Sequence, residues 1–323
     1  MTTGHDHVMQ CAEVFGGNRQ AQTSIATLGL DAWLYSDPYT EDQSSDAAPE
    51  SAGGDVHFLT SCATGRVTRL LLADVSGHGA RVDRAARELK ALLGSYAHYI
   101  DQLRFLAEVN HRFGTADTDG LFATAIVATY FSPTSELSVC SAGHPAPLLY
   151  DASQGSWREV PVNTPLEDDR PGALSNLPLG IEHDVEYAQS TIHLGERDLA
   201  MFYTDALPEA RPPDGPMLGA AGVLDALNAL DASDPGSIVP ALLNRVNAHR
   251  APAGKAPPFD DDVTVLIVRR NDRAPTPSLR TGILGAARVT AQAARTVLVE
   301  HRAPALPEWS LRNIAGAFFK GLN

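Results

Sequence analysis

Apolar positions along the chain follow two periods, and the two periods predict strands and helices in separate groups. Continuous runs of aliphatic and β-branched residues, several of them too apolar to have a solvent-exposed face, predict buried strands. These runs cover 67–75, 121–131, 137–141, 199–204 and 263–268. Most of the predicted strands therefore belong to a core rather than to an open surface.

Two stretches follow the first long strand with apolar residues at steps of three and four, which predicts two amphipathic helices. The first stripe is Val82, Ala85, Ala86, Leu89, Leu93, Tyr96 and Ile100, and the second is Leu103, Leu106, Val109 and Phe113. Since strands come in groups with a helix pair between them, the layout is α+β rather than a series of βαβ units.

Segments rich in Pro, Gly, Ser and Asp predict surface loops at 41–54, 163–176, 211–216 and 251–258. The glycines of "VFGGN" (14–18) predict a turn, and "HDH" (5–7) is expected to lie in a frayed terminus. We expect one domain over 1–270, with its motifs in 53–270, and a compositionally different tail over 271–323.

Composition narrows the classes of function. The chain has 323 residues, 44% of them hydrophobic, and a net charge of −14. Such an acidic chain is a poor ligand for nucleic acid. Cys11, Cys62 and Cys140 form neither a disulfide framework nor a zinc motif. With no leader-like start and no long apolar run, the sequence predicts a cytoplasmic protein for which membrane binding is not expected.

Acidic residues recur where apolar strands begin or end. Each has an ordinary structural interpretation, as an Asx turn, a helix N-cap, a turn or a solvated loop. Together, carboxylates that converge from several strand ends would repel one another unless cations lay between them. Oxygen-only ligands suit Mg²⁺ or Mn²⁺. The residues concerned are Asp55, Asp74, Asp205, Asp260, Asp261 and Asp262.

An ordered set of segments resembles the metal-dependent Ser/Thr protein phosphatases (PPM), in particular the bacterial SpoIIE/RsbU-like branch. The segments are "GGDVHFL" (53–59), "LLLADVSGHG" (70–79), "LFATAIVATYF" (121–131), "SAGHPAPLLY" (141–150), "LPLGI" (177–181), "FYTDALPEA" (202–210) and "DDDVTVLIVRR" (260–270). The resemblance implies an α+β fold of the PPM type, a four-layer α-β-β-α sandwich of two antiparallel sheets flanked by helices.

The resemblance also implies a metal site. Asp74 would bridge two Mn²⁺ or Mg²⁺ ions, with a third ion left open. Asp55, Asp205 and Asp261 would complete the ligands of the second ion, and the backbone carbonyl of Val75 would bind the first ion. Asp261 is assigned because the family pattern of an acidic, a polar and any residue before Thr starts there. Asp260 and Asp262 would then support the ligands from outside or face solvent.

The implied activity is that of a metal-dependent protein serine/threonine phosphatase. A water activated between two ions would attack the phosphorus in line, without a covalent phosphoenzyme. The implied partner is a regulatory phosphoprotein of the partner-switch type, such as an anti-sigma-factor antagonist, and a homodimer is left open. The alternative is a catalytically degenerate, phosphatase-like module that binds a signalling protein without turnover.

The chain departs from the family pattern at positions near the expected ligands. Ala206 follows Asp205 where Gly is usual, and if φ is positive there, alanine would cost about 1–2 kcal/mol. Ser76 stands where the better-known eukaryotic members have a histidine, and His78 lies two residues further on. His144 is expected to shape its loop rather than to carry protons.

The tail carries the opposite charge to the rest of the chain. Residues 271–323 contain seven Lys/Arg and three Asp/Glu, a net +4, which leaves −18 for 1–270. Its arginines recur at steps of seven and eight beside apolar residues, which predicts an amphipathic helix before Pro304. Docking on the acidic domain is the favoured interpretation, and anchoring to a membrane or a partner groove is the alternative.

Overall fold

The computed structural model describes residues 5–9, 13–39, 53–61, 65–77, 80–96, 99, 101–116, 120–162, 176–251, 254 and 256–273. The expected loops at 41–54 and 163–176 lie almost wholly outside the described residues, and so do His78, Cys11, Cys62 and the tail from 274 onward. Among the described helices, none is long and apolar enough to cross a membrane.

The strands of the described residues form two sheets. The first has seven strands in the order β1-β3-β4-β13-β12-β9-β10, and the second has six in the order β11-β8-β7-β6-β5-β2. Their bounds are β1 His7–Val8, β2 Val14–Gly17, β3 Ala21–Ala26, β4 Leu30–Asp37, β5 Asp55–Ser61, β6 Val67–Val75, β7 Ala123–Phe131, β8 Glu136–Ala142, β9 Leu148–Asp151, β10 Ser156–Glu159, β11 Gln189–His193, β12 Leu199–Tyr203 and β13 Val263–Arg270.

Within the described ranges, four helices cover these sheets: α1 Ala80–Tyr96, α2 Gln102–Thr115, α3 Gly219–Asn228 and α4 Pro235–Arg250. Local chemistry fixes where two of them begin. The carboxylate of Asp101 accepts from the backbone N–H groups of Leu103 and Arg104, both at 3.0 Å. Asp234 caps α4 in the same way, with Pro235 in the first turn, where a proline costs no hydrogen bond.

Three apolar clusters show how the layers stack. One joins α1 and α2 to the outer face of the second sheet. The next fills the space between the sheets with residues such as Leu72, Ile126 and Leu266. The third joins α3 and α4 to the outer face of the first sheet. This is the α-β-β-α order, and the predicted α+β sandwich is confirmed. The β1–β3 pair is parallel, whereas the other paired strands are antiparallel.

Two local predictions were wrong. Residues 14–17 form strand β2, which pairs with β5, and the glycines serve a close approach: a Cβ on Gly16 would lie 2.5 Å from the carbonyl oxygen of His57. The residues at 5–9 are not frayed. His7 lies in β1, and the buried side chain of His5 is 3.2 Å from Asp31 Oδ1.

Candidate active site

The first two predicted carboxylates face each other across neighbouring strands. Asp55 begins β5 and Asp74 lies one residue before the end of β6, and the antiparallel register places them directly opposite. Directly opposite residues have Cβ atoms about 4.5–5.5 Å apart on the same face. Since Ala73 and Val75 pack toward α1 and α2, Asp74 projects the other way, into the space between the sheets.

The other two carboxylates come from the first sheet. Asp205 follows β12 after one residue, and Asp261 lies two residues before β13. Tyr203 pairs with Val265, so the last residues of β12 lie beside the first residues of β13, at one end of the strands of that sheet. Thr204, at this end of the strands, contacts the second sheet, because its hydroxyl donates to Asp55 Oδ2 at 3.0 Å. Two carboxylates from each sheet therefore share one end of the sandwich.

Burial and the closeness of these carboxylates raise the pKa values of three of them. Burial first, and then the negative charges of Asp205 and Asp261, together raise the pKa of Asp74 to about 8. The pKa of Asp205 is raised to about 6, first by burial and then by Asp261 and Glu209. Burial and the charge of Asp74 likewise hold the pKa of Asp55 well above its usual range. The strongest charged neighbours of Asp74 are thus all carboxylates.

A metal ion would meet a specific need at Asp55. The residue is 2% exposed, and its Oδ1 is buried with no hydrogen-bond partner. An unpartnered buried charge is costly unless a cation compensates it. All four side chains offer only oxygen, which suits Mg²⁺ or Mn²⁺. Among the described residues, no three His, Cys, Asp or Glu side chains lie close enough together to hold a metal ion as they stand.

Two backbone segments close to Asp74 complete the surroundings of the site. A Cβ on Gly54 would lie 2.9 Å from the carbonyl oxygen of Val75, so this oxygen faces the glycine turn that precedes Asp55. Ser76 exchanges two hydrogen bonds with Phe122, from Ser76 N to the Phe122 carbonyl at 2.9 Å and from Phe122 N to Ser76 Oγ at 3.2 Å. Ser76 thus ties the loop to β7.

Ala206 does not occupy a glycine conformation. In the described residues, the non-glycine positions with positive φ are Ser135, Asn176 and Arg197. Ala206 is instead 6% exposed and belongs to the cluster beneath α3 and α4. The cost that a positive φ would have imposed on this alanine does not arise, because its backbone is in an ordinary region.

His144 lies beside the site but is neutral. Its backbone N–H and C=O both bond to the hydroxyl of Ser141, at 3.1 and 3.0 Å, which fixes the tight turn. Its Nδ1 is 2.8 Å from the hydroxyl of Thr124, the residue opposite Asp74 on β7. Burial lowers the pKa of His144 to about 3. These contacts agree with the expected loop-shaping role.

Sequence reasoning missed the polar residues that support the candidate metal ligands. Thr204 bonds Asp55, and the backbone N–H of Thr264 bonds Thr204 Oγ1 at 2.9 Å. Arg250, at the end of α4, donates to the carbonyls of Pro257 and Pro258 and lies 4.1 Å above the ring of Phe259. The available signal was the pair of threonines, one just after the apolar strand β12 and one near the start of β13.

Comparison with known proteins decides the family. The family model described as "Stage II sporulation protein E (SpoIIE)" matches residues 64–271. The chain belongs to the SpoIIE family of PP2C-type phosphatase domains. That is the SpoIIE/RsbU-like branch which the ordered segments resemble, and the matched range includes Asp74, Asp205 and Asp261 but not Asp55.

Solved structures of SpoIIE-type and related phosphatases share the fold. The RsbU and RsbW domains of a Mycobacterium tuberculosis protein align with a TM-score of 0.56 at 24% identity, over 87% of this chain and 71% of that one. The PP2C domain and regulatory fragment of Bacillus subtilis SpoIIE align with a TM-score of 0.55 at 18% identity, over 81% of this chain and 65% of that one. RsbX in complex with magnesium aligns with a TM-score of 0.50 at 15% identity, over 78% of this chain and 100% of that one.

Proposed function

We propose that this SpoIIE-family domain is a Mn²⁺- or Mg²⁺-dependent protein serine/threonine phosphatase. The observation that carries the proposal is the meeting of Asp55, Asp74, Asp205 and Asp261 at one end of the sandwich, with raised pKa values for the first three and an unpartnered oxygen on Asp55. Such a cluster is unfavourable by itself and becomes favourable around divalent cations. The magnesium complex of RsbX, a protein of the same fold, supports this ligand chemistry.

Each residue would have a distinct task. Asp74, at the centre of the carboxylates, would bridge two ions, and the Val75 carbonyl would serve one of them. Asp55 and Asp205 would hold the second ion from opposite sheets, and Asp261 would close its coordination at the exposed edge. When bound, the ions would supply an activated water and neutralise charge on the phosphoryl group.

The substrate is proposed at the level of class. Asp261 is exposed, so a site that includes it would lie at the surface, where a phosphoserine or phosphothreonine on another protein could reach it. The RsbU–RsbW structure supports a regulatory phosphoprotein of the partner-switch type, for example an anti-sigma-factor antagonist. The net −18 of 1–270 favours partners other than nucleic acid.

The test is Asp74→Asn, which keeps the size of the side chain and removes the central charge. Hydrolysis of p-nitrophenyl phosphate should require Mn²⁺ in the wild type and fall by at least about a hundredfold in the variant. Since a buried charge with carboxylate neighbours is removed, the metal-free variant should also melt at a higher temperature than the metal-free wild type.

The matched control is Asp260→Asn, an exposed aspartate in the same acidic run, which should retain the wild-type rate. A folded Asp74→Asn protein that hydrolyses the ester as fast as the wild type would refute the two-metal proposal. A wild type that binds Mn²⁺ but shows no hydrolysis of any phosphoprotein or ester would favour the binding-module alternative.

A further inference from the structure

Asp262 is more buried than its neighbours in the acidic run and has a different set of contacts. It is 7% exposed, whereas Asp260 and Asp261 are exposed. Like Leu266 and Val268 further along β13, it has the parity of the inner face, so it projects toward the second sheet. A carboxylate in this position needs hydrogen-bond donors, and the protein supplies them from its backbone.

The donors are three backbone N–H groups from two separate segments. Oδ1 of Asp262 accepts from Tyr39 N at 2.5 Å, just beyond the end of β4. Oδ2 accepts from Gly54 N at 2.5 Å and from Asp55 N at 3.1 Å. Charged acceptors make short, strong bonds with such groups. Asp262, directly before β13 of the first sheet, thus binds the backbone at the start of β5 in the second sheet.

Close packing prevents the bound segment from moving away. A Cβ added to Gly53 would lie 2.5 Å from Asp262 Oδ1, and one added to Gly54 would lie 2.8 Å from Val82 Cγ1. On its other side, the carbonyl of Gly54 accepts from Val75 N at 3.3 Å. The turn 53–55 is therefore held between the Asp262 carboxylate and the end of β6 with the first turn of α1.

We infer that Asp262 is a positioning residue which clamps the Gly53–Gly54–Asp55 turn and so aims the unpartnered Oδ1 of Asp55 at the proposed metal ions. This inference rests on the proposed function only for what Asp55 binds. Its charge is met by backbone donors, which leaves Asp262 outside the ligand set. The two glycines and the buried aspartate act as one unit, since only a residue without Cβ fits against the carboxylate.

The experiment uses Asp262→Asn, which keeps the shape of the side chain but removes its charge and one of its two acceptor oxygens. Calorimetric titration of the metal-free protein with Mn²⁺ should show a Kd increased by about 10–100-fold, the usual effect of losing a group that orients a ligand. In the absence of metal, amide hydrogen exchange measured by NMR should accelerate at Gly54 and Asp55. Asp260→Asn is the matched control and should change neither quantity.

The two readouts separate this inference from the proposed function. Exchange is measured without metal, so it decides the clamp even if the wild type neither binds Mn²⁺ nor hydrolyses a phosphate ester. Wild-type exchange at Gly54 and Asp55 in a folded Asp262→Asn protein would overturn the clamp. So would a lowered rate of hydrolysis with an unchanged Kd, because that pattern would give Asp262 a direct part in the chemistry.

A second variant covers the case in which Asp262→Asn does not fold. Gly53→Ala keeps every charge and places a methyl group against the carboxylate. It should weaken Mn²⁺ binding and accelerate exchange at Gly54. An unchanged Kd together with wild-type exchange at Gly54 in the folded Gly53→Ala protein would contradict the inference.

Discussion

At the scale of single residues, the site combines unfavourable charge with close support. Asp55 and Asp74 are opposed across a strand pair, which costs stability in the absence of a cation. Thr204 and the backbone donors to Asp262 offset part of that cost by fixing the geometry. Functional sites commonly lower the stability of a protein, and in this candidate site the opposed aspartates are the residues that lower it.

Ala206 provides a first residue-scale prediction. Its methyl group is buried and its φ is not positive, so Ala206→Gly loses apolar burial and gains backbone freedom in the unfolded state. We expect about 1–2 kcal/mol of destabilisation in urea unfolding and no gain in Mn²⁺-dependent hydrolysis. A glycine variant that is both as stable and more active would show that the family's glycine is preferred here after all.

His144 provides a prediction about pH. The histidine is buried and its folded pKa is about 3, whereas an unfolded histidine titrates near 6.5. Between these values the unfolded state binds more protons, so the contribution of His144 is present above pH 6.5 and is lost as the pH falls toward 3. Its slope is at most about 1.4 kcal/mol per pH unit. Urea unfolding at pH 7, 5.5 and 4.5 should show a smaller acid loss for His144→Gln than for the wild type.

The control for this measurement is His193→Gln, at an exposed position on β11. It should leave the acid dependence unchanged. Equal slopes for the wild type and His144→Gln would mean that the folded protein protonates this ring as readily as the unfolded chain does, contrary to its buried surroundings.

At the scale of elements, helix α4 supports the strand that brings Asp261 and Asp262 to the site. Arg250 is 5% exposed and binds two consecutive proline carbonyls beside the Phe259 ring, so it connects the last turn of α4 to the loop before β13. A proline-rich loop has few N–H groups of its own, and the guanidinium satisfies its carbonyls instead.

Arg250→Ala should destabilise the protein by about 2–4 kcal/mol, because it removes two hydrogen bonds from a charged donor, the cation–π contact and the packing of a buried side chain. Urea unfolding measures this effect. Arg245→Ala is the matched control on the same helix. Arg245 is exposed and makes one bond to the carbonyl of Ala229, and its loss should cost less than about 1 kcal/mol. Similar losses for both variants would show that Arg250 is no special support.

The success of the sequence analysis also varies by element. The run 67–75 and the two helical stripes were predictable because each has an uninterrupted period and a single buried face; they correspond to β6, α1 and α2. The buried positions Ile238, Leu242 and Val246 of helix α4 recur at steps of four, but Pro240 lies within the helix, and an internal proline argues against one. Strand β2 was hidden by glycines that only the neighbouring strand explains.

At the scale of the whole molecule, the two-layered sheet architecture could be predicted and the support of the site could not. The family resemblance carried by the order of motifs was sufficient for the α-β-β-α sandwich, whereas the roles of the four aspartates stay a prediction. Which of three consecutive aspartates is buried depends on the partner sheet, and the backbone donors to Asp262 come from residues far away in sequence. Contacts of this kind leave no local pattern.

The tail provides the prediction at this scale. Asn271 bonds the carbonyl of Thr27, the carboxylate of Asp31 and the N–H of Gly29, so a shortened chain should keep it and end at Arg273. We expect this chain to remain folded and catalytic but to change in solubility or oligomeric state, because the tail's +4 is suited to the domain's −18. Size-exclusion chromatography and sedimentation with anionic liposomes measure both effects.

Sedimentation of the full chain with anionic vesicles, but not of the shortened chain, would replace docking by membrane anchoring. An unchanged elution volume and solubility after truncation would mean that the tail contributes to neither.

The position of β13 has a consequence for how the protein is made. This strand lies between β4 and β12 in the middle of the first sheet, and it is the last of the described strands to be synthesised. A nascent chain that has not yet released it from the ribosome has a gap in that sheet and has neither Asp261 nor the Asp262 clamp. Prematurely terminated chains therefore lack part of the candidate site, and their exposed sheet edges favour aggregation and recognition by chaperones.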